Sequence, residues 1–142
     1  MEGDVGKGNV AVSRALNCIS EAPFDPDKWP EALKFIGDAT GSSFAQIAGW
    51  ISPGCLPLSI HWNEPDGMIK RWVELGGADP AVNPVIRVGK RTRELQIVSD
   101  AEFISPEERR KLAIWGDFYE PYDLPHICLT PLWRDRSADL ML

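Results

Sequence analysis

Proline spacing restricts this chain more than any other feature, because twelve prolines are spread over 142 residues. Proline lacks a backbone N–H and interrupts a helix interior, so a bundle of long helices is disfavoured. Five of the prolines instead lie beside residues that commonly cap helices, at positions where helices are expected to begin: Pro26, Pro65, Pro80, Pro84 and Pro106. The spacing therefore predicts short helices joined by many turns.

Between these breaks, hydrophobic periodicity predicts the order ααββα(α)βαββ. Residues 1–8 show no periodicity and are expected to be a flexible tail, followed by one domain over residues 9–142. Val12, Leu16 and Ile19 form the apolar face expected for the first helix, and Ala15 and Cys18 widen the same face. Strands are expected at 43–51, 58–62, 95–97, 126–132 and 138–142, and a helix from Ser105 towards Tyr119. Because helices and hairpins are segregated, the order predicts an α+β domain, with an antiparallel sheet of about five strands flanked by helices.

The charge of the chain argues against nucleic acid as its direct partner. The net charge is −6, and the basic clusters at 90–93 and 109–111 are short and adjoin acidic residues. Binding a phosphate backbone requires a clustered positive face, so both clusters are interpreted as solvated surface. No stretch of the sequence is apolar enough to span a membrane, and no signal peptide opens it. The three cysteines, Cys18, Cys55 and Cys128, are expected to be buried and reduced in the cytoplasm.

Few residues combine in a way that supports catalysis or metal binding. Alternation along a strand puts His126 and Cys128 on one face, so a thiolate–imidazole enzyme is one hypothesis. Strand cysteines more often serve as core residues. His61 has no second ligand at metal-binding spacing. The sequence therefore predicts no enzyme, no metal site and no cofactor.

Aromatic residues carry the stronger functional signal. Six tryptophans are many for a chain of this size, and large rings with one polar handle suit the walls of a small-molecule cavity. The alternative interpretation is a solid aromatic core. Asp79 would anchor a ligand by a hydrogen bond if it is buried, or else cap the helix that begins at Pro80. The predicted ligand contacts are Trp50, Trp62, Met68, Trp72, Asp79, Phe118 and Tyr122.

The stretch from Pro65 through Trp72 to Asp79-Pro80-Ala81-Val82 resembles the sensor domains of LuxR-type transcriptional regulators. The motif around Phe103-Ile104-Ser105-Pro106 and the step from Phe118-Tyr119 to Asp123 are similar to those of regulators with PAS- or GAF-like N-terminal domains. In the autoinducer-binding branch, an aromatic residue on this helix and the Asp of an Asp-Pro-Val step contact the signal. The resemblance thus implies such contacts for Trp72 and Asp79.

The resemblance also implies a function for the whole chain. It implies a PAS/GAF-like fold, a cytoplasmic location and a homodimer that senses a small apolar or amphipathic signal, as in quorum sensing. DNA would be contacted only through a C-terminal helix-turn-helix. That domain is absent from these 142 residues, so the chain is expected to be part of a longer regulator. The alternative function is a ligand-free interaction or dimerisation module.

Overall fold

The computed structural model describes residues 2–52 and 56–142. Helices occupy α1 Glu2–Glu21, α2 Lys28–Thr40, α3 Met68–Glu74, α4 Pro84–Gly89 and α5 Pro106–Arg109. A 3₁₀ turn covers Asp100–Glu102, and a π-helix covers Trp115–Tyr119. Strands occupy β1 Ala45–Ile51, β2 Leu56–Trp62, β3 Val98–Ser99, β4 Cys128–Leu129, β5 Pro131–Arg134 and β6 Ala138–Met141.

The strands form two sheets. The larger sheet is antiparallel and has the order β2-β1-β6-β5, and the smaller sheet pairs β3 with β4. The predicted α+β class is confirmed. The strand count differs from the expected five, because the segment expected as one strand over 126–132 is divided between β4 and β5. Pro131 begins the second of these strands, and it cannot donate a ladder hydrogen bond.

The chain divides into two compact units. One unit comprises Met1–Ala48 and Leu58–Glu64, and the other comprises Gly49–Pro57 and Pro65–Leu142. The single domain expected over residues 9–142 stays a prediction. Residues 53–55, which include Cys55 with its expected burial, lie outside the described ranges.

In the first unit, helix α1 packs against α2 through small side chains. Ala11, Ala15, Cys18 and Ala22 are buried at spacings of four, three and four. The predicted apolar face is therefore correct for Ala15 and Cys18 and wrong for Val12, Leu16 and Ile19, which are exposed. Small residues allow two helices to approach closely, so they take the inner side and leave the larger ones outside.

Residues 2–8, where a flexible tail was expected, form the start of α1. Gly6 and Gly8 lower helix propensity, and this is why the sequence suggested a tail. At both glycines an added Cβ would meet open space. Helix α2 ends as predicted at Gly41, whose φ of 72° is the left-handed conformation that glycine adopts easily.

In the second unit, two of the four helix starts expected at prolines match the sequence. Helix α3 begins at Met68, three residues after Pro65, and residues 80–82 form a turn, so no helix begins at Pro80. Helix α4 begins at Pro84 behind the Asn83 cap, and α5 begins at Pro106 behind the Ser105–Glu108 capping box, as expected. The predicted continuous helix towards Tyr119 is wrong, because α5 ends at Arg109 and the chain continues as a turn and then the π-helix. The spacing of the apolar residues is compatible both with one continuous helix and with a helix, a turn and a π-helix, so periodicity alone did not distinguish the two arrangements.

The strand predicted at 95–97 is shifted along the chain. Leu95 has a φ of 62°, a conformation that no strand residue adopts, and its N–H donates to the carbonyl of Pro131. Pairing begins at Val98, opposite Leu129. The segment before β3 is therefore a turn, stabilised by the Leu95 bond to Pro131 and by the Gln96 N–H, which donates to the Arg93 carbonyl at 3.1 Å.

Candidate functional site

A buried polar centre organises the second unit around Asn83. Its amide nitrogen Nδ2 donates to the carbonyl of Gly77 at 2.9 Å and to the hydroxyl of Tyr119 at 3.0 Å. Its oxygen Oδ1 accepts from the Val85 N–H at 3.1 Å and from the Tyr119 hydroxyl at 3.2 Å. Asn83 is fully buried, so these bonds replace the water that its amide has lost. One side chain thereby ties the start of α4 to the π-helix.

The π-helix and the turn after it bring four aromatic rings together. The Trp115 and Tyr119 ring centroids are 4.6 Å apart, and those of Phe118 and Tyr119 are 5.1 Å apart. The Phe118 and Tyr122 centroids are separated by 5.3 Å. These tilted and edge-on contacts are favourable arrangements for aromatic rings. Trp115, Phe118 and Tyr119 are buried, whereas Tyr122 is half-buried and offers part of its ring to a ligand.

The surroundings of Tyr119 hold its hydroxyl in the neutral form. Burial raises the pKa of Tyr119 to about 12, against the partial opposing effect of its hydrogen bond to Asn83. The negative charge of Asp100 raises this pKa further. Tyr119 is therefore a hydrogen-bonding group at any physiological pH, and the centre that it forms with Asn83 is structural.

The predicted contact Trp72 belongs to the same neighbourhood. Its indole lies directly against Gly77, where any Cβ would collide with the ring. The carbonyl of Gly77 in turn accepts the hydrogen bond from Asn83. Three contacts thus connect the half-buried Trp72 to Tyr119: Trp72 with Gly77, Gly77 with Asn83, and Asn83 with Tyr119. Phe118 adjoins Tyr119, and Met68, another predicted contact, is buried at the start of α3.

Three other predicted residues lie in different surroundings. Asp79 is exposed, so its interpretation as a buried anchor is wrong; its Oδ1 accepts the N–H of Ala81 at 2.8 Å in a turn over residues 80–82, where the helix expected from Pro80 does not form. Trp50 on β1 is half exposed. Trp62 belongs to the first unit, where its ring packs on Gly37 of α2 and leaves no room for a side chain there.

A buried ion pair lies close to the aromatic rings. The Asp100 carboxylate is fully buried, and the Arg109 guanidinium contacts its Oδ2. Arg109 also donates to the carbonyl of Pro125 at 3.1 Å and lies 5.4 Å from the centre of the Trp115 ring. The His126 Nδ1 is 3.8 Å from Asp100 Oδ1. Arg109 therefore serves a structural ion pair and is unavailable as a simple surface cation.

Two open grooves adjoin this region. The larger, of about 470 Å³, is lined by cationic, acidic and apolar residues: Arg109, Arg110, Lys111, Leu112, Ala113, Gly116, Asp117 and Glu120. The smaller, of about 300 Å³, is lined by Pro106, Arg109, Arg110, Trp115, Glu120, Leu124 and Pro125. Neither lining includes Trp72 or Asp79. Trp115 is the member of the aromatic set that reaches a groove wall.

The geometry does not support a reactive thiol at Cys128. Cys128 is exposed, contrary to its expected burial, whereas Cys18 is buried as expected. Partial desolvation and the negative charges of Glu102 and Asp100 raise the pKa of the Cys128 thiol. A nucleophilic cysteine needs its pKa lowered, so this environment opposes thiolate formation. His126, the partner in that hypothesis, faces Asp100 instead.

Sequence reasoning missed Asn83, Tyr119, Asp100 and Arg109 as site-building residues. Asn83 was interpreted as a helix cap, which it is, but its second role at the Tyr119 hydroxyl depends on a contact 36 residues away. Arg109 was interpreted as solvated surface because its neighbours are charged. Nothing local in the sequence indicates that Asp100 is buried beneath it.

Two searches of the described residues bear on other kinds of site. Across residues 2–52 and 56–142, no three His, Cys, Asp or Glu side chains come together as metal ligands would. In the same ranges, no helix combines the length and apolar character that crossing a bilayer requires.

Comparison with known proteins identifies the fold. Neither protein-family models nor curated proteins give a match to this chain. Among solved structures, the crystal structure of the VqsR LBD domain from Pseudomonas aeruginosa superimposes with a TM-score of 0.62 at 18% sequence identity. The match covers 92% of this chain and 77% of that one. The resemblance to LuxR-type sensor domains is thereby confirmed at the level of fold: the chain has the fold of a LuxR-type ligand-binding domain.

Proposed function

We propose that this chain is the sensing domain of a LuxR-type transcription regulator. It binds a small apolar or amphipathic signal and controls output through ligand-dependent conformation or dimerisation. The observation that carries the proposal is the fold shared with the VqsR LBD domain over 92% of the chain. A cytoplasmic location, a homodimer and DNA binding through a separate helix-turn-helix belong to the same proposal.

The proposed ligand contacts are Met68, Trp72, Phe118 and Tyr122, all in the second unit. Trp72 and Tyr122 are half-buried, so each keeps part of its ring free for a ligand, while Met68 and Phe118 supply buried apolar surface. The path from Trp72 through Gly77 and Asn83 to Tyr119 supports treating them as one neighbourhood. Exposed Asp79 and Trp50, and Trp62 with its packing role on Gly37, are left out of this narrower set.

A ligand-free interaction module is the second candidate function. Specific observations favour it. Trp72 and Trp62 each pack on a glycine, and the Asp79 carboxylate accepts the N–H of Ala81 instead of facing a ligand. These are the contacts of a solid core. The two candidates differ in one measurable property, because only the sensor is stabilised by a small molecule.

A thermal-shift screen tests the proposal. Acyl-homoserine lactones of graded chain length and hydrophobic carboxylic acids are the probes, with native mass spectrometry to detect a bound compound. A ligand at about 100 times its Kd adds about 2.7 kcal/mol of stability. For a domain of this size, that raises the unfolding midpoint by roughly 8 °C.

Matched tryptophan variants localise any effect. Trp72→Phe keeps an aromatic ring on Gly77 and should reduce the ligand-induced shift, whereas Trp133→Phe on exposed β5 should leave it intact. Equal shifts in both variants would remove Trp72 from the site. If every probe leaves the midpoint unchanged and native mass spectrometry shows the bare chain, the interaction module is the better description.

A further inference from the structure

Helix α1 exposes a stripe of large apolar side chains. Val12, Leu16 and Ile19 are 49%, 61% and 37% exposed, although their spacing of four and three puts them on one side of the helix. The buried face of α1 consists of alanines and Cys18 and is already occupied by α2. Apolar residues on one helix side normally pack against something, so this stripe lacks a partner within the first unit.

The stripe lies in surroundings free of charge. At about 100° per residue, Asn9, Ser13 and Ser20 are its neighbours on the side away from α2. Between residues 6 and 21 of α1, the charged residues Lys7, Arg14 and Glu21 lie on the other side of the buried face. Arg14 is 5.5 Å from the Phe35 ring of α2, and Glu21 is 3.8 Å from Lys28. A partner can therefore cover the stripe without burying an ion.

The apolar area is of the size that an interface requires. Phe24, in the turn that ends α1, is 91% exposed and extends the apolar surface. With about 150–200 Å² for each fully exposed side chain of this kind, the four residues present roughly 450 Å². A standard interface covers about 800 Å² per partner, of which roughly 56–65% is apolar. The two areas agree.

We propose that this surface, the α1 stripe of Val12, Leu16 and Ile19 with Phe24, is the contact between two copies of this chain. A two-fold pairing needs one self-complementary patch, and an uncharged apolar stripe complements itself. The net charge of −6 disfavours contact between copies over acidic surfaces, and α1 avoids that repulsion. In this arrangement Leu16, central and the most exposed of the three helical residues, lies near the two-fold axis. The pairing deepens the proposed function, because it assigns a surface to the proposed homodimer and rests on that part of the proposal.

The test is the mass of the full chain in solution. Sedimentation velocity over roughly 1–100 μM should show a reversible rise from 15.8 kDa to about twice that mass. Leu16→Glu should raise the dimer dissociation constant at least tenfold, since pairing would bury two like charges. Val73→Glu is the matched control, because Val73 is a helical apolar residue of similar exposure, 64%, in the second unit. It should leave the dissociation constant unchanged.

Two further variants keep the result clear. Leu16→Ala retains helix propensity while removing apolar surface, so it should weaken pairing even if Leu16→Glu folds poorly. Mixing Leu16→Glu with Leu16→Lys should restore a dimer that neither forms alone. A monomer over the whole concentration range, or a dimer that resists Leu16→Ala and Leu16→Glu as it resists Val73→Glu, overturns the proposal. Because the readout is mass without ligand, such a failure would remove the homodimer from the proposed function but would leave ligand binding, which the thermal-shift screen tests, untouched.

Discussion

At the scale of single residues, Asn83 is the side chain on which the second unit most depends. It is fully buried and bonds to groups on three parts of the chain: the Gly77 carbonyl, the Val85 N–H and the Tyr119 hydroxyl. Removing it leaves several buried polar groups without a partner. Each such group costs more than the net gain of an ordinary hydrogen bond.

We therefore expect Asn83→Ala to lower the free energy of unfolding by about 2–4 kcal/mol. Urea denaturation followed by tryptophan fluorescence measures this loss. Asn17→Ala, on the exposed side of α1, is the control and should change stability by less than about 0.5 kcal/mol. Equal, small effects of both substitutions would show that the Asn83 hydrogen bonds are replaced by water.

The raised pKa of Tyr119 predicts a loss of stability at high pH. The folded protein keeps Tyr119 protonated up to about pH 12, whereas the unfolded chain releases this proton near pH 10. The stabilisation is thus complete below pH 10 and is lost as pH rises towards 12, at up to about 1.4 kcal/mol per pH unit. Unfolding of wild type and Tyr119→Phe should diverge in slope above about pH 10. Parallel curves of unfolding free energy against pH for the two proteins would contradict the raised pKa of Tyr119.

At the scale of elements, Arg134 on β5 holds the end of α4. Its guanidinium donates to the carbonyls of Gly89, Lys90 and Thr92 at 3.0–3.2 Å, and its Nε is 3.2 Å from an oxygen of Asp139. The last carbonyls of a helix have no partner within the helix, so one planar side chain satisfies several of them together.

Arg134→Lys keeps the charge but loses this planar geometry, and we expect it to reduce stability by about 1–3 kcal/mol. Arg136→Lys, in the exposed turn two residues later, should be neutral. Thermal unfolding at low and high salt distinguishes the causes. A loss that vanishes in high salt would indicate simple charge attraction instead of directed hydrogen bonds.

The helix starts at Pro84 and Pro106 were readable from the sequence, whereas the starts expected at Pro65 and Pro80, the face of α1 and the length of α5 were not. Asn83-Pro84 and Ser105-Pro106 begin helices because capping and proline geometry act within four residues. The face of α1 depends instead on what packs against it. Close packing against α2 places the alanines on the buried face, whereas hydrophobicity alone favoured Val12 and Leu16 for that face.

The candidate site shows the same difference between local signals, which the sequence displays, and long-range contacts, which it does not. Trp72 and Phe118 could be proposed because large rings are visible in sequence, and the contacts now place them around one polar centre. Asp79 was misjudged because the aspartate of an Asp-Pro sequence can either hydrogen-bond a ligand or accept a nearby backbone N–H, and here it accepts that of Ala81. The role of Asn83 at Tyr119 depends on long-range contact, which local patterns do not encode.

At the scale of the whole molecule, the net charge determines whether the chain binds DNA without a separate DNA-binding domain. The net charge is −6, and the longest basic run, 109–111, shares a groove with Asp117 and Glu120 while Arg109 is paired with Asp100. DNA affinity comes mainly from cations that replace counterions on phosphates. This surface offers few unpaired cations for that exchange.

We therefore expect residues 1–142 to leave a DNA duplex unretarded at physiological salt, even at protein concentrations near 10⁻⁴ M, where non-specific binders begin to bind. Asp117→Lys with Glu120→Lys is the informative variant, because each change adds two charges and turns the groove wall wholly basic. It should retard DNA at low salt and release it as salt rises, since exposed cations act through screened attraction. Retardation by the unchanged chain at physiological salt would contradict the charge argument and make a separate DNA-binding domain unnecessary.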